Sequence, residues 1–168
     1  TSAYLLLKLL LMNFKFEVVP FDKIMDAVKR GECEAGLLIH EGQLTYRHHG
    51  LHKVVDLGEW WHADTGLPVP LGVNAIRKDL GKQLMRKLST LLTQSIQYAL
   101  DHRAEAVEYA QQFARGMERP LTDTFCGMYV NQWTLDMGEK GREAITRLLA
   151  RAYHAALIPR PVNLEFVE

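Results

Sequence analysis

The stretch Glu34-Ala35-Gly36-Leu37-Leu38-Ile39-His40-Glu41 constrains the fold more than any other part of this chain. Its apolar residues, set between a glycine and a charged pair, are too few for a buried helix. They read as a short core strand, apolar on both faces as in a parallel sheet. That strand ends on a histidine. In open α/β sheets the loops leaving the carboxyl ends of strands line the ligand crevice, which on this reading aims His40 at a ligand. The competing reading is a surface or capping histidine.

The flanking segments suit such a sheet. Thr1 and Ser2 are good N-cap types ahead of a strong helix-forming run over 3–12, apolar nearly all round and expected to be largely buried. Residues 15–19 then alternate polar and apolar before Pro20, as a strand would. Phe21, Ile24, Met25 and Val28 keep helical spacing up to a stop at Gly31, and the His40 strand follows. Helix, strand, helix, strand with short connections implies right-handed crossovers. The polar stretch 41–50 reads as turns, 53–57 as another strand, and 73–77 as one more. Between them, Trp60-Trp61 followed by Pro68 and Pro70 predicts a rigid apolar loop that either walls a pocket or covers the core.

From Lys82 onward the pattern is helical. Leu84, Leu88, Leu91, Leu92, Ile96 and Leu100 form one stripe, with further helices expected over 103–115, 121–130 and 138–157 and an extended tail from Ile158. This change of character places a domain boundary near 69–73.

Composition narrows the function. Twenty basic residues balance twenty acidic ones in 168, which excludes a basic field for nucleic acid or a polybasic patch for lipid. The apolar run 5–12 falls far short of the ~20 residues a membrane span needs and lacks the marks of a signal peptide. A small-molecule ligand or protein partner remains. Cys33 and Cys126 match no zinc spacing and suit buried thiols in a reducing compartment. No Walker or Rossmann loop, HExxH, GxSxG or CxxC is present. His48, His49 and His52 are read as solvated loop histidines rather than a metal site, since no carboxylate motif accompanies them.

Two candidates for chemistry remain. One is His40, a proton acceptor near neutral pH, with Glu41 beside it. The other is the Thr1-Ser2-Ala3 helix entry, whose free N–H groups and hydroxyls suit a substrate carboxylate or form an ordinary N-cap. In a parallel sheet both lie on one edge, giving an anion anchor and a base in one crevice.

Several ordered motifs carry a resemblance: Thr1-Ser2-Ala3-Tyr4, residues 31–41, Thr45-Tyr46, Gly50-Leu51, Val54-Val55-Asp56-Leu57-Gly58 with Trp60-Trp61, Thr65-Gly66-Leu67-Pro68, Pro70-Leu71-Gly72, Tyr129-Val130-Asn131, and Leu135-Asp136 with Gly138. Over nearly its whole length the chain resembles the 1,4-dihydroxy-6-naphthoate synthase family of the futalosine route to menaquinone. The resemblance implies a type II periplasmic-binding-protein-like fold, an α/β lobe with a parallel-rich sheet followed by a helical C-terminal segment. Residues 1–72 would be the second lobe, carrying the cleft residues. Residues 73–168 would supply a return strand and helices that pack on a first lobe.

It further implies a cytoplasmic lyase that converts cyclic dehypoxanthine futalosine to 1,4-dihydroxy-6-naphthoate without cofactor or metal. The partner is then a small-molecule carboxylate, with no nucleic acid and no membrane. His40 matches the proposed general base, and Ser2 and Ala3, with Thr1 adjacent, match substrate-binding positions; Ser2 stands where the family often has threonine. Family members have most of another lobe before the position of Thr1, so this sequence is expected to be the later part of a longer polypeptide. Alone it would be inactive, or would self-associate through the surface left by the missing lobe. Two alternatives stand beside this reading: chorismate dehydratase, which has a Gly-Asp type of sequence where this chain has His40-Glu41, and a solute-binding protein that holds its ligand unchanged.

Overall fold

The N-terminal helix forms where a hydroxyl cap meets a leucine-rich run. Thr1 Oγ1 accepts from the Tyr4 N–H at 3.2 Å, opening α1 (Ser2–Leu11). The computed structural model describes residues 1–114 and 116–167. α1 is less buried than its composition predicts, because Leu6 is its fully buried residue while Leu11 is half exposed.

A 3₁₀ turn at Phe21–Lys23 leads into α2 (Ile24–Lys29), and two short elements follow, α3 (Gly42–Thr45) and a 3₁₀ turn at Tyr46–His49. α4 (Leu57–Thr65) then begins at an Asp56 cap whose carboxylate accepts from the Gly58 and Glu59 N–H groups at 2.9 and 3.1 Å. After another 3₁₀ turn at Lys78–Leu80 come α5 (Lys82–Asp101), α6 (Arg103–Gln111), α7 (Arg119–Tyr129), α8 (Gln132–Leu135) and α9 (Gly138–His154). The expected helix end at Arg115, like the last residue Glu168, lies outside the described residues.

This element list overturns the expected α/β architecture. No strand occurs among the described residues, so neither the parallel-rich sheet nor the periplasmic-binding-protein-like fold is present. Of the segments read as strands, 15–19 and 73–77 have no regular structure, the one expected to end at His40 runs irregularly into a turn there, and 53–57 is irregular up to Leu57, which opens α4. Alternation and short apolar runs do not by themselves make a ladder: Leu37, Leu38 and Ile39 are half-buried, whereas Phe16, Val18, Val54 and Val73 are exposed. The 33–39 segment lies against α2: a Cβ built on Gly36 would sit 2.4 Å from Ile24 Cγ2 and 3.1 Å from Val28 Cγ2. In the 14–20 segment a cation gathers the aromatics. Lys8 Nζ stands 4.4 Å from the Phe14 ring centroid and 5.1 Å from that of Phe16. Val18, which should have faced a core, is 86% exposed.

The chain divides into two compact units, one comprising Thr1–Leu71 with Arg147–Pro161, the other Gly72–Thr146 with the tail from Val162. In the first, Leu6 of α1, Trp61 of α4 and Leu148 of α9 form the core, flanked by Leu9, Leu57, Trp60 and Val69. Trp61 is fully buried and its indole N–H donates to the Pro68 carbonyl at 3.0 Å, so the tryptophan–proline segment is core. Burying side chains of this size contributes roughly 1.5–3 kcal/mol each. Arg151 of α9 closes over this core, paired with Asp64 and lying 5.6 Å from the Trp61 ring.

In the second unit α5 packs against α6 and α8, and α6 against α7. Arg103 Nε donates to Asp123 Oδ1 at 2.7 Å, joining α6 to α7 around the buried Val107 and Thr122. The stripe predicted for α5 divides: Leu84, Leu88, Leu91 and Leu92 are exposed, while Ile96 and Leu100 are half-buried together with Met85 and Ser89.

Candidate functional site

His40 is placed by α2 and the turn before it. Gly36 brings the chain onto Ile24 and Val28, Gly42 lies 3.8 Å from the Met25 terminal methyl by its built Cβ, and the His40 ring meets Phe21 with centroids 4.6 Å apart. Contact therefore runs along the whole 3₁₀–α2 element. His40 itself has φ 55°, the left-handed region that a side-chain-bearing residue enters at a penalty. Its carbonyl accepts from the Gln43 N–H at 3.3 Å as the chain turns into α3. The residue is exposed rather than turned into the core, and Glu41 beside it is half-buried. An accessible imidazole on a conformationally committed backbone is a group that can take a proton from a ligand.

The second candidate is the start of α1. The Ser2 and Ala3 N–H groups, in the first turn, have no intrahelical acceptor and carry the positive end of the helix dipole. Thr1 Oγ1 is already an acceptor for Tyr4, which leaves its proton to donate outward. Ser2 differs. Its hydroxyl donates to the Leu71 carbonyl at 3.0 Å, so its proton is committed to holding the end of the 67–71 segment. The structure thus gathers Thr1, Ser2 and Ala3 at one helix end and seats His40 on another element of the same unit; the neighbours identified for Ser2 and for His40 are different residues.

Other sequence candidates are dispersed. His48 and His52 are exposed and His49 half-buried, and no group of three or more His, Cys, Asp or Glu placed to hold a metal occurs among the described residues. Tyr46, Arg47, Gly50, Leu51, His52 and Lys53 line a depression of ≈ 500 Å³, which collects the Tyr46 and Gly50-Leu51 motifs in one place. At its edge a hydrogen bond from Lys53 to Glu59, reinforced by charge, holds the ammonium above its ordinary range. Cys33 and Cys126 are both free thiols.

Sequence reasoning missed Phe21 as the neighbour of His40 and Leu71 as the partner of Ser2. The first had a signal, since Pro20-Phe21 opens a turn and puts an aromatic at the head of the element beneath the histidine. The second, a contact 69 residues apart, had none.

A family model described as menaquinone biosynthesis matches residues 1–154. The chain is 44% identical over 165 residues to a 1,4-dihydroxy-6-naphthoate synthase of Thermus thermophilus, covering 96% of this chain and 61% of that protein. It is 39% identical over 165 residues to the protein of that name from Streptomyces coelicolor, covering 95% and 58%. A crystal structure of an Archaeoglobus fulgidus protein superposes with a TM-score of 0.90 at 43% identity, covering 94% of this chain and 60% of that one. The chain thus spans about three fifths of the length of the curated relatives it matches. With the model match running through both units, the chain belongs to the menaquinone-biosynthesis family that contains the 1,4-dihydroxy-6-naphthoate synthases.

Proposed function

We propose that this chain carries the proton-abstracting part of an enzyme that converts cyclic dehypoxanthine futalosine to 1,4-dihydroxy-6-naphthoate in the cytoplasm, with His40 as general base. The supporting observation is the exposed imidazole held on a left-handed backbone against Phe21. Forming an aromatic naphthoate from the spiro-fused precursor requires removal of a proton and cleavage of a carbon–carbon bond, and an imidazole can begin that sequence near neutral pH. The substrate carboxylate would meet the Ser2 and Ala3 N–H groups and the Thr1 hydroxyl. The Ser2 hydroxyl, occupied with Leu71, supports the shape of that entry rather than supplying a donor.

On this proposal residues 1–72 hold the ligand contacts, and the outward leucines of α5 within 73–168 pack on the part of the relatives' length that this chain does not match. The chain by itself is then inactive or self-associated. The test is a chimera in which this chain replaces the matched segment of the Thermus thermophilus relative. Incubated with cyclic dehypoxanthine futalosine and followed by mass spectrometry, it should release 1,4-dihydroxy-6-naphthoate, and His40→Asn should lower turnover by roughly 10²–10⁴-fold, the range of general acid–base contributions. Undiminished turnover in the His40→Asn chimera would remove His40 as the base.

A further inference from the structure

We infer that Phe21 is a positioning residue that holds the His40 imidazole in one orientation; this deepens the general-base reading and rests on it. An exposed histidine ordinarily samples several staggered rotamers with a broad second torsion, whereas proton transfer needs one ring orientation. Two features of this chain narrow that freedom. The φ of 55° at His40 fixes the direction in which the side chain leaves the backbone, away from the course it would take in an extended strand. The Phe21 ring then lies 4.6 Å from the imidazole with the planes inclined at 43°, a tilted contact at the close end of the ~4.5–7 Å range of aromatic pairs.

Phe21 can serve as a wall because its own backbone is set. Pro20, with φ −51° and ψ 135°, opens the 3₁₀ turn, and its carbonyl accepts from the Lys23 N–H at 2.8 Å before α2 begins. The helix that continues that element is pinned to the histidine's own segment, where Ile24 and Val28 crowd Gly36. A half-buried aromatic in the turn and a tight glycine contact along the helix that follows fix ring and wall in one rigid piece.

The experiment is carbon–proton NMR of the His40 ring in the chain itself, comparing wild type with Phe21→Leu and Phe21→Tyr. The wild type should show imidazole C–H resonances displaced by the neighbouring ring, with couplings of one dominant rotamer. Phe21→Leu, which keeps apolar bulk but loses the ring, should abolish that displacement and average the couplings, while Phe21→Tyr should restore both. Backbone amide spectra that are unchanged beyond the 20–28 and 36–43 neighbourhood separate this from unfolding. Rotamer-averaged couplings in the wild type, or a His40 ring indifferent to Phe21→Leu, would overturn the proposal whatever His40→Asn does to turnover. Undiminished turnover in the His40→Asn chimera would instead overturn the base reading and leave the measured ring orientation standing.

Discussion

A histidine at φ 55° holds conformational energy that glycine would not. For L-residues the left-handed region is disfavoured by roughly 1–2 kcal/mol, partly offset in a glycine variant by the larger entropy of its unfolded chain. His40→Gly should therefore stabilise the chain by up to about 1 kcal/mol in urea unfolding while removing the base, and His40→Asn, tolerant of the same region, should be near neutral. A glycine variant less stable than wild type would mean that the contact of the His40 ring with Phe21 outweighs the backbone penalty. Ser2→Ala is the complementary case, since it loses the bond to Leu71; the expected effect is a loss of about 0.5–1.5 kcal/mol. That loss should appear without ligand present, which distinguishes a structural tether from a substrate contact. His40 and Thr1-Ser2-Ala3 were legible in the sequence as residues worth naming. What each one touches was not, because a non-glycine residue gives no sign of a positive φ and a hydroxyl gives no sign of an acceptor far along the chain.

Elements were legible where periodicity was sustained or a stop residue was present. Residues 82–100 gave α5 nearly to its observed ends, and the Gly31 stop gave the end of α2. Where two signals competed, the alternation 53–57 suggested a strand, whereas Asp56 with Glu59 at the third position is an N-terminal capping signature, and the cap prevailed: Val54 is 89% exposed and α4 starts at Leu57. The 33–39 segment failed as a strand for another reason. Its chain is seated against α2 at Gly36, and this seat depends on the missing side chain there. Gly36→Ala should destabilise by about 1–3 kcal/mol through overpacking against Ile24, and Ile24→Ala in the same chain should return part of that loss in a double-mutant cycle. Additive effects would show that the two residues do not meet. The tail makes a pH-dependent contact: Lys78 Nζ donates to Glu165 Oε1 at 2.6 Å, and that bond first, its charge second, holds the Glu165 carboxyl below the usual range. Because the folded carboxyl is the more acidic, the contact helps at pH above the ordinary glutamate range and is lost as pH falls through the lowered value. Carboxypeptidase trimming of the tail should therefore rise on acidification in wild type and lose that pH dependence in Lys78→Gln.

At the scale of the whole molecule the outward face of α5 is the unexplained expense. Leu84, Leu88 and Leu91 are between 39% and 50% exposed on successive turns of one helix, with Leu92 beside them at 42% and Tyr98 further along at 58%. A contiguous apolar patch of this kind marks an interaction surface rather than ordinary scatter. The spacing 84, 88, 91 is that of a helix seam, apolar at steps of four and three, interrupted at Ser95 and resumed at Tyr98. The helix's half-buried side, through Met85 and Ile96, is already engaged by its own unit, so the leucine face is available to something else. In a protein of the relatives' full length the proposed cover is the unmatched portion; for this chain alone it is a second copy. Sedimentation velocity across a concentration series should then show a reversible dimer or larger species. Leu88→Glu with Leu91→Glu should convert it to monomer without lowering the midpoint of urea unfolding of the first unit, whose core lies at Leu6, Trp61 and Leu148. A wild-type chain that stays monomeric at the highest soluble concentration, or a glutamate pair that leaves the association unchanged, would assign the contact to another surface and leave the leucine stripe to the longer protein.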